Sequence, residues 1–296
     1  MSARYHSIRL PFHLELDHVW VHVLETPHGW ALVDTGFATD ASFAALESGL
    51  RNVGLGWGDI DTLFLTHTHP DHMSLANRVV ERTGARVLLH RREEKLLAEL
   101  RARPAEDANL ERWGTPPELA SRIGAAMQDS AWMFLPLRSA EPVDEGYRLG
   151  SWRVVETPGH APGHLCLYHE QARTLIAGDH VLEKITPHVS WWPSGDSLTA
   201  FLGSLEHVSK LAVDKVIPSH GDPFTGLARR AAEIREHHFE RIEKIRQAQA
   251  NGARTPHEIV GKLWTRKLSP FQYRFAIYEV MAHIETSAAN ASTRLK

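Results

Sequence analysis

Cysteine is nearly absent from this chain of 296 residues, in which Cys166 is the single example. One cysteine excludes an intramolecular disulfide framework and a cysteine-rich zinc site. The chain also lacks an apolar run long enough to span a bilayer, and its start lacks the apolar core of a signal peptide. These absences make a cytoplasmic protein without a membrane segment the expectation.

A strong charge of either sign is missing as well, because the formal net charge of -3 is distributed along the sequence. Nucleic acid is therefore not expected as a partner. The arginine pairs at 91–92 and 229–230 are the obvious candidates for phosphate contacts, and solvated helix faces explain them better. Hydrophobic residues make up 43% of the chain, which predicts an ordinary globular core, and the 20 histidines are a high number.

The segment 66–72 places three of these histidines close together, since it reads Thr-His-Thr-His-Pro-Asp-His directly after a short apolar run. In an extended strand end, side chains two residues apart point the same way, so His67 and His69 can converge on one metal ion. A turn at the proline would direct Asp71 and His72 to a second ion. Imidazole and carboxylate groups are ligands that borderline divalent metals prefer.

The first 225 residues alternate strand and helix patterns. Residues 20–24, 30–33 and 63–65 are predicted strands. A helix with Phe43, Leu46 and Leu50 on one face is predicted to follow the second of them. Such an alternation indicates a mixed fold of helices and strands.

Two segments depart from this alternation. Residues 91–139 predict a helical insertion, which either covers a site or simply packs against the core. Residues 226–296 predict only helices, one of them opened by the capping box Thr255-Pro256-His257-Glu258. The expected division is a catalytic domain at 1–225 and a C-terminal domain at 226–296.

Three later predicted strands also end in candidate ligands. These are His160 and His164 after the first, Asp179 and His180 after the second, and His220 after the third. Ligands at strand ends on one edge of a core lie where open α/β architectures place their sites. A two-metal site begun by segment 66–72 can be completed from these positions.

In its ordered motifs the chain resembles the metallo-β-lactamase superfamily over most of the first 225 residues. The matching positions are Val33-Asp34-Thr35-Gly36, segment 66–72, the stretch Pro-Gly-His-Ala-Pro-Gly-His at 158–164, Gly178-Asp179-His180 and His220. The resemblance implies an α+β fold, the αββα sandwich of that family. It also implies a C-terminal all-helical or winged-helix-like domain.

Carried over position by position, the resemblance implies two divalent ions. Their ligands would be His67, His69 and His164 for the first ion, Asp71, His72 and His220 for the second, and Asp179 as the bridge. In the third motif the second histidine is taken as the ligand, so His160 is expected to act as a turn or supporting group. His180 is expected to brace its loop, and Asp34 to accept backbone hydrogen bonds.

The chemistry implied is hydrolysis by a metal-bridging hydroxide, with Asp71 and Asp179 as the catalytic carboxylates. Zinc is the expected metal, with iron and manganese as alternatives, because histidine and carboxylate accept all three. In having the bridging aspartate and lacking a signal peptide, the chain resembles proteins of the glyoxalase II type. It also resembles lactamase-β-like hydrolases with a C-terminal winged-helix-like domain.

The expected function is therefore a hydrolase of a small-molecule thioester, lactone or related ester. The alternatives are a metal-dependent phosphodiesterase or ribonuclease, and a low-activity metal-binding regulatory protein. His188, Trp191 and Trp192 follow the fourth motif and are candidates for lining a substrate pocket. Cys166 is expected to pack as a small apolar side chain. Dimerisation through the C-terminal helices is left open.

Overall fold

The computed structural model describes residues 4–12, 17–102, 108–129, 137, 139–193 and 195–293. A first sheet of six strands runs in sequence order, and its first three strands are antiparallel whereas the remaining pairings are parallel. These strands are β1 (Tyr5–Pro11), β2 (His18–Glu25), β3 (Trp30–Val33), β4 (Ile60–Phe64), β5 (Arg86–Leu89) and β6 (Glu141–Pro142).

A second sheet of five strands has the order β11-β10-β9-β8-β7. Its pairings are antiparallel except for that of β10 with β11, which is parallel. The strands are β7 (Arg148–Leu149), β8 (Trp152–Glu156), β9 (Leu165–His169), β10 (Thr174–Gly178) and β11 (Lys215–Pro218).

Alternation of side chains along the strands produces a core on each face of the sheets. Leu63 and Leu65 belong to a cluster on the outer face of the first sheet. Phe64, between them, points the other way into a cluster that also contains Trp152 and Ile217 of the second sheet. The two sheets are therefore packed face to face around a shared apolar layer.

Helices cover both outer faces. They are α1 (Asp40–Asn52), α2 (Pro70–Met73), α3 (Ala76–Thr83), α4 (Arg91–Ala102), α5 (Ala108–Arg112), α6 (Pro117–Asp129), α7 (Ser197–Ser209), α8 (Leu227–Ala250), α9 (Pro256–Leu263) and α10 (Pro270–Thr293). Leu46 and Leu50 of α1 pack on the first sheet. Phe201 of α7 and Ile234 of α8 pack on the second. This arrangement confirms the expected αββα sandwich.

The insertion and the C-terminal helices share one core. Leu110 and Trp113 of the insertion lie in the same buried cluster as Ile259 of α9 and Ile277 of α10. The part of the predicted insertion that follows α4 thus contributes to the core of the C-terminal helices, whereas Leu97 of α4 packs on the first sheet. Residues 103–107, 130–136 and 138 of that prediction lie outside the described residues.

Within 227–293 the structure describes helices and no strand, so of the two forms expected for the tail it has the all-helical one. The predicted capping box is present, since Thr255 Oγ1 accepts from the Glu258 N–H at 3.2 Å and Glu258 Oε2 accepts from the Thr255 N–H at 3.2 Å. Among the helices described, none is long and apolar enough to cross a bilayer.

The single cysteine offers a test of the inter-strand packing. Cys166 on β9 is fully buried, and burial raises the pKa of its thiol to about 12. We therefore expect a disulfide-exchange reagent to leave the folded protein unmodified and to titrate one thiol per chain after denaturation in guanidinium chloride. Rapid reaction of the native protein would contradict this packing.

Candidate active site

The candidate site lies where strands from both sheets end. Segment 66–72 follows β4 of the first sheet, Asp179 follows β10, and His220 follows β11 of the second sheet. His160 lies in the loop between β8 and β9. The edge formed by these strand ends therefore brings together residues that are far apart in the sequence.

Asp34 organises the base of the site. It lies in the left-handed region with φ of 61° and is buried. Its carboxylate accepts from the N–H and the Oγ1–H of Thr66, each at 2.8 Å, and from Nδ1 of His72 at 2.8 Å. The expectation that Asp34 accepts a backbone hydrogen bond is thus confirmed, and the carboxylate also orients one of the candidate ligands.

His67, His69 and His160 form the first of two clusters in the site. Nε2 of His67 lies 2.9 Å from Nδ1 of His69. His160 donates from Nδ1 to the backbone oxygen of His188 at 2.6 Å, which leaves the lone pair of its Nε2 available to the cluster. Neutral imidazoles oriented in this way by a second hydrogen bond are typical of metal ligands.

His164 is not part of this cluster, in contrast to the sequence-based assignment. Its Nε2 accepts from the backbone N–H of Asp179 at 3.1 Å, so its Nδ1 carries the proton and donates to Thr157 Oγ1 at 2.7 Å. Gly178 makes room for this ring, because a Cβ there would lie 2.6 Å from His164 Nε2. Both nitrogens of His164 are occupied, and His160 takes the position that had been expected for His164.

Asp71, His72, Asp179 and His220 form the second cluster. His220 Nε2 lies 3.1 Å from Asp71 Oδ2 and 3.6 Å from Asp179 Oδ1. His72 Nε2 lies 3.4 Å from Oδ2 of each of the two aspartates. The four residues expected at the second ion or as the bridge are therefore brought together.

The two clusters differ in their electrostatics. Burial, aided by the neighbouring His160 ring, lowers the pKa of His69 to about 3, so the first cluster is neutral. Burial also acts to lower the pKa of His72, but the carboxylates of Asp71 and Asp179 outweigh it and raise that pKa well above its usual range. The second cluster therefore combines ionised carboxylates with imidazoles of increased proton affinity.

The donor atoms of both clusters fit divalent metal ions. Nε2 of His72, Nε2 of His160 and Oδ1 of Asp179 are buried, and none has a hydrogen-bond partner in the described part of the chain. Buried polar atoms without partners are costly, and a shared cation would satisfy them. Imidazole nitrogens with carboxylate oxygens are the donor set that zinc, iron and manganese accept.

A further group of possible metal-binding residues, His90, Asp144 and Glu156, lies outside this site. Arg91 already forms a hydrogen-bonded ion pair with Asp144. Glu156 Oε1 accepts from the Glu145 N–H at 3.0 Å. This group is thus satisfied by protein contacts.

A cavity of about 440 Å³ lies beside the loop that carries His160. Pro158 and Pro162 of that loop, Leu96 of α4 and Trp192 line it, with Arg92 and Lys95 also in its wall. Of the three aromatic residues expected in a substrate pocket, Trp192 is the one among its lining residues.

His188 and Trp191 instead connect the loop after β10 to α10. The ring of His188 packs edge-on against Phe275 with centroids 4.8 Å apart, and its Nδ1 lies 3.6 Å from Glu279 Oε2. Trp191 Nε1 donates to Glu285 at 2.7 Å. Nothing in the sequence pattern distinguishes these positions from Trp192, because the direction of each side chain is set by contacts with a distant helix.

The metallo-beta-lactamase superfamily model matches residues 14–220 of the chain. A probable metallo-hydrolase of Bacillus subtilis, YqjP, is 26% identical over 273 residues, covering 87% of this chain and 84% of that protein. Other curated relatives are also described as probable metallo-hydrolases.

Solved structures agree with this match. The metallo-beta-lactamase family protein TTHA1429 from Thermus thermophilus is 31% identical with a TM-score of 0.83, over 97% of this chain and 94% of that one. A di-iron-bound form of TTHA1623 is 27% identical with a TM-score of 0.53, over 75% and 97% of the two chains. The chain therefore belongs to the metallo-beta-lactamase superfamily and is a metal-dependent hydrolase.

The placement of the two histidines of the third motif can be tested by metal content. We expect His160→Asn to lose about one metal ion per chain, because its Nε2 faces the first cluster, whereas His164→Asn should retain more metal and show mainly a lower melting temperature. Elemental analysis after dialysis, with thermal unfolding of each variant, measures both effects. The reverse order of metal loss would contradict this placement.

Proposed function

We propose that this protein is a dinuclear metal hydrolase that cleaves a thioester, lactone or related ester. The proposed ligands are His67, His69 and His160 for one ion, Asp71, His72 and His220 for the other, and Asp179 between them. The position of Asp179 is the observation that carries this proposal, because its carboxylate is adjacent to both clusters.

Three distances support the bridging role of Asp179. Its Oδ2 lies 3.6 Å from Nε2 of His160 in the first cluster. The same oxygen lies 3.4 Å from Nε2 of His72, and Oδ1 lies 3.6 Å from Nε2 of His220, both in the second cluster. A single carboxylate close to both ligand sets therefore supports a two-ion centre.

Divalent ions held in these clusters would supply Lewis acidity and would lower the pKa of water to about neutrality. The chain's own residues keep their donors ready for that chemistry. Burial acts to raise the pKa of Asp71, but His72 and His220 outweigh it and hold that pKa well below its usual range, so the carboxylate stays ionised. With 13% of its side chain accessible, Asp71 is suited to accept a hydrogen bond from a water molecule that reaches the site.

We propose zinc as the metal, because five of the seven proposed ligands are imidazoles. Iron is the main alternative, since TTHA1623, a related protein, has a di-iron-bound form. Manganese is the third choice, because it prefers sites with more oxygen ligands than this one provides.

The cavity beside residues 158–162 supports an acyl substrate. Its wall combines apolar surfaces of Leu96 and Trp192 with the cationic side chains of Arg92 and Lys95. Asp196 also lines the cavity, and its carboxylate accepts hydrogen bonds from Thr199 and Thr286. An apolar acyl chain can pack against the apolar surfaces, and an anionic group on the substrate can contact the cationic side chains. We place the acyl or leaving-group portion of the substrate in this cavity, with the ester carbonyl at the clusters.

Loss of a ligand should remove the activity. His69→Ala and Asp179→Asn are expected to reduce kcat/KM by about a hundredfold or more, because each removes a donor from a cluster. Turnover by zinc-loaded protein of a panel of thioesters, lactones, simple esters and phosphodiesters measures this. Asp214→Asn, which alters a surface ion pair with Arg173, is the control and should behave as wild type.

The same panel separates the candidate reactions. If zinc-, iron- and manganese-loaded wild-type protein turned over none of the carbonyl esters, the proposed function would be wrong. Turnover of phosphodiesters alone, with strong dependence on salt concentration, would instead establish the phosphodiesterase alternative.

The two adjacent tryptophans provide a test of the substrate cavity. Trp192→Ala should raise KM for long-chain acyl substrates by about tenfold, equivalent to about 1.4 kcal/mol, with a smaller change in kcat. Trp191→Phe should leave KM unchanged and lower the melting temperature, because it loses the hydrogen bond to Glu285. Steady-state kinetics and thermal unfolding distinguish these outcomes, and an unchanged KM in Trp192→Ala contradicts the cavity assignment.

A further inference from the structure

We propose that Glu93 is a positioning residue that fixes the two loops carrying His67, His69 and His160 relative to each other. The inference rests on the proposed metal-binding role of those histidines. Glu93 itself lies in neither cluster, and none of the sequence motifs includes it.

The carboxylate of Glu93 contacts each loop with a different oxygen. Oε2 accepts from the backbone N–H of Thr68 at 3.0 Å and from Thr68 Oγ1–H at 2.5 Å. Oε1 accepts from the backbone N–H of Gly163 at 2.7 Å. Thr68 lies between His67 and His69, and Gly163 lies three residues after His160, so one carboxylate holds both halves of the first cluster.

The carboxylate of Glu93 is buried, and these hydrogen bonds are what stabilise it there. The residue is 0% exposed, and none of the ion pairs in the described part of the chain includes it. A buried carboxylate without a cationic partner is unfavourable unless its oxygens are hydrogen-bonded. Without the hydrogen bonds to Thr68 and Gly163, an apolar side chain would occupy this buried position on α4 at a lower desolvation cost.

The close approach of the second loop depends on glycine. A Cβ at Gly163 would lie 2.5 Å from Nδ1 of His90 and 3.0 Å from Cγ of Glu93. Only a residue without a side chain allows the backbone N–H to reach Oε1 at this point. The loop and the carboxylate are thus matched in shape as well as in hydrogen bonding.

Replacement of Glu93 by glutamine retains the size of the side chain but converts one acceptor oxygen into an NH₂ donor. One of the two loops therefore loses its hydrogen bond. We expect Glu93→Gln to bind about one zinc ion per chain tightly and to lose about tenfold to a hundredfold in affinity for the other, as found when groups supporting a metal ligand are removed.

Two further variants serve as a graded change and as a control for the zinc affinity of Glu93→Gln. Thr68→Val removes the hydroxyl donor and keeps the backbone donor, so a smaller loss of affinity is expected. Glu94→Gln changes an exposed carboxylate on the same helix and should bind zinc as wild type does. Zinc affinity is measured by competition with a chromophoric chelator, and the zinc-dependent rise in melting temperature is measured for each full-length protein.

The zinc measurements separate positioning from stability. A lower melting temperature of metal-free Glu93→Gln with unchanged zinc affinity would overturn the inference, because Glu93 would then be a structural residue only. Wild-type affinity and stoichiometry in a folded Glu93→Gln would overturn it as well. Failure of the wild-type protein to bind two ions would count against the proposed function itself, and is seen without any variant.

Discussion

The geometry of the site depends on the hydrogen bonds that the buried carboxylate of Asp34 accepts. This carboxylate joins the end of β3 to the start of segment 66–72 through Thr66, and it orients His72 through Nδ1. Loss of one such bond that leaves a buried group unpaired costs about 1–3 kcal/mol. The residue accepts an unusual backbone conformation, with φ of 61°, to reach all of these donors. The hydrogen bonds that fix the orientation of His72 thus offset the backbone strain at Asp34.

Carboxylates outside the ligand clusters have a common function in this structure. Asp34 supports the second cluster, and Glu93 links the two loops of the first. Asp179, which is itself a member of the second cluster, follows a strand of the sheet opposite to that of segment 66–72. Because the proposed ligands come from both sheets, their spacing depends on the packing of the apolar layer between the sheets, in which Phe64 and Trp152 lie.

Much of the fold could be predicted because the spacing of apolar residues along the sequence indicates which side of each helix or strand is buried. The helix predicted from Phe43, Leu46 and Leu50 is α1, and the short apolar run before segment 66–72 forms β4 and its extension. The sequence-based prediction is His164 as the ligand, whereas the structure places His160 in the first cluster. The sequence pattern could not show this, because it depends on a hydrogen bond to His164 from the backbone of Asp179. Glu93 could not be found either, since a glutamate on a charged helix gives no signal of burial.

The attachment of α10 to the loop after β10 has a consequence for biosynthesis. Glu279 and Glu285 hold His188 and Trp191, and the backbone oxygen of His188 accepts from His160. The support that α10 gives to His160 through His188 can therefore form only after nearly all of the described chain has been synthesised. The part of the site that rests on Asp34 lies early in the sequence, so the two parts of the site can acquire their supporting contacts at different stages of synthesis.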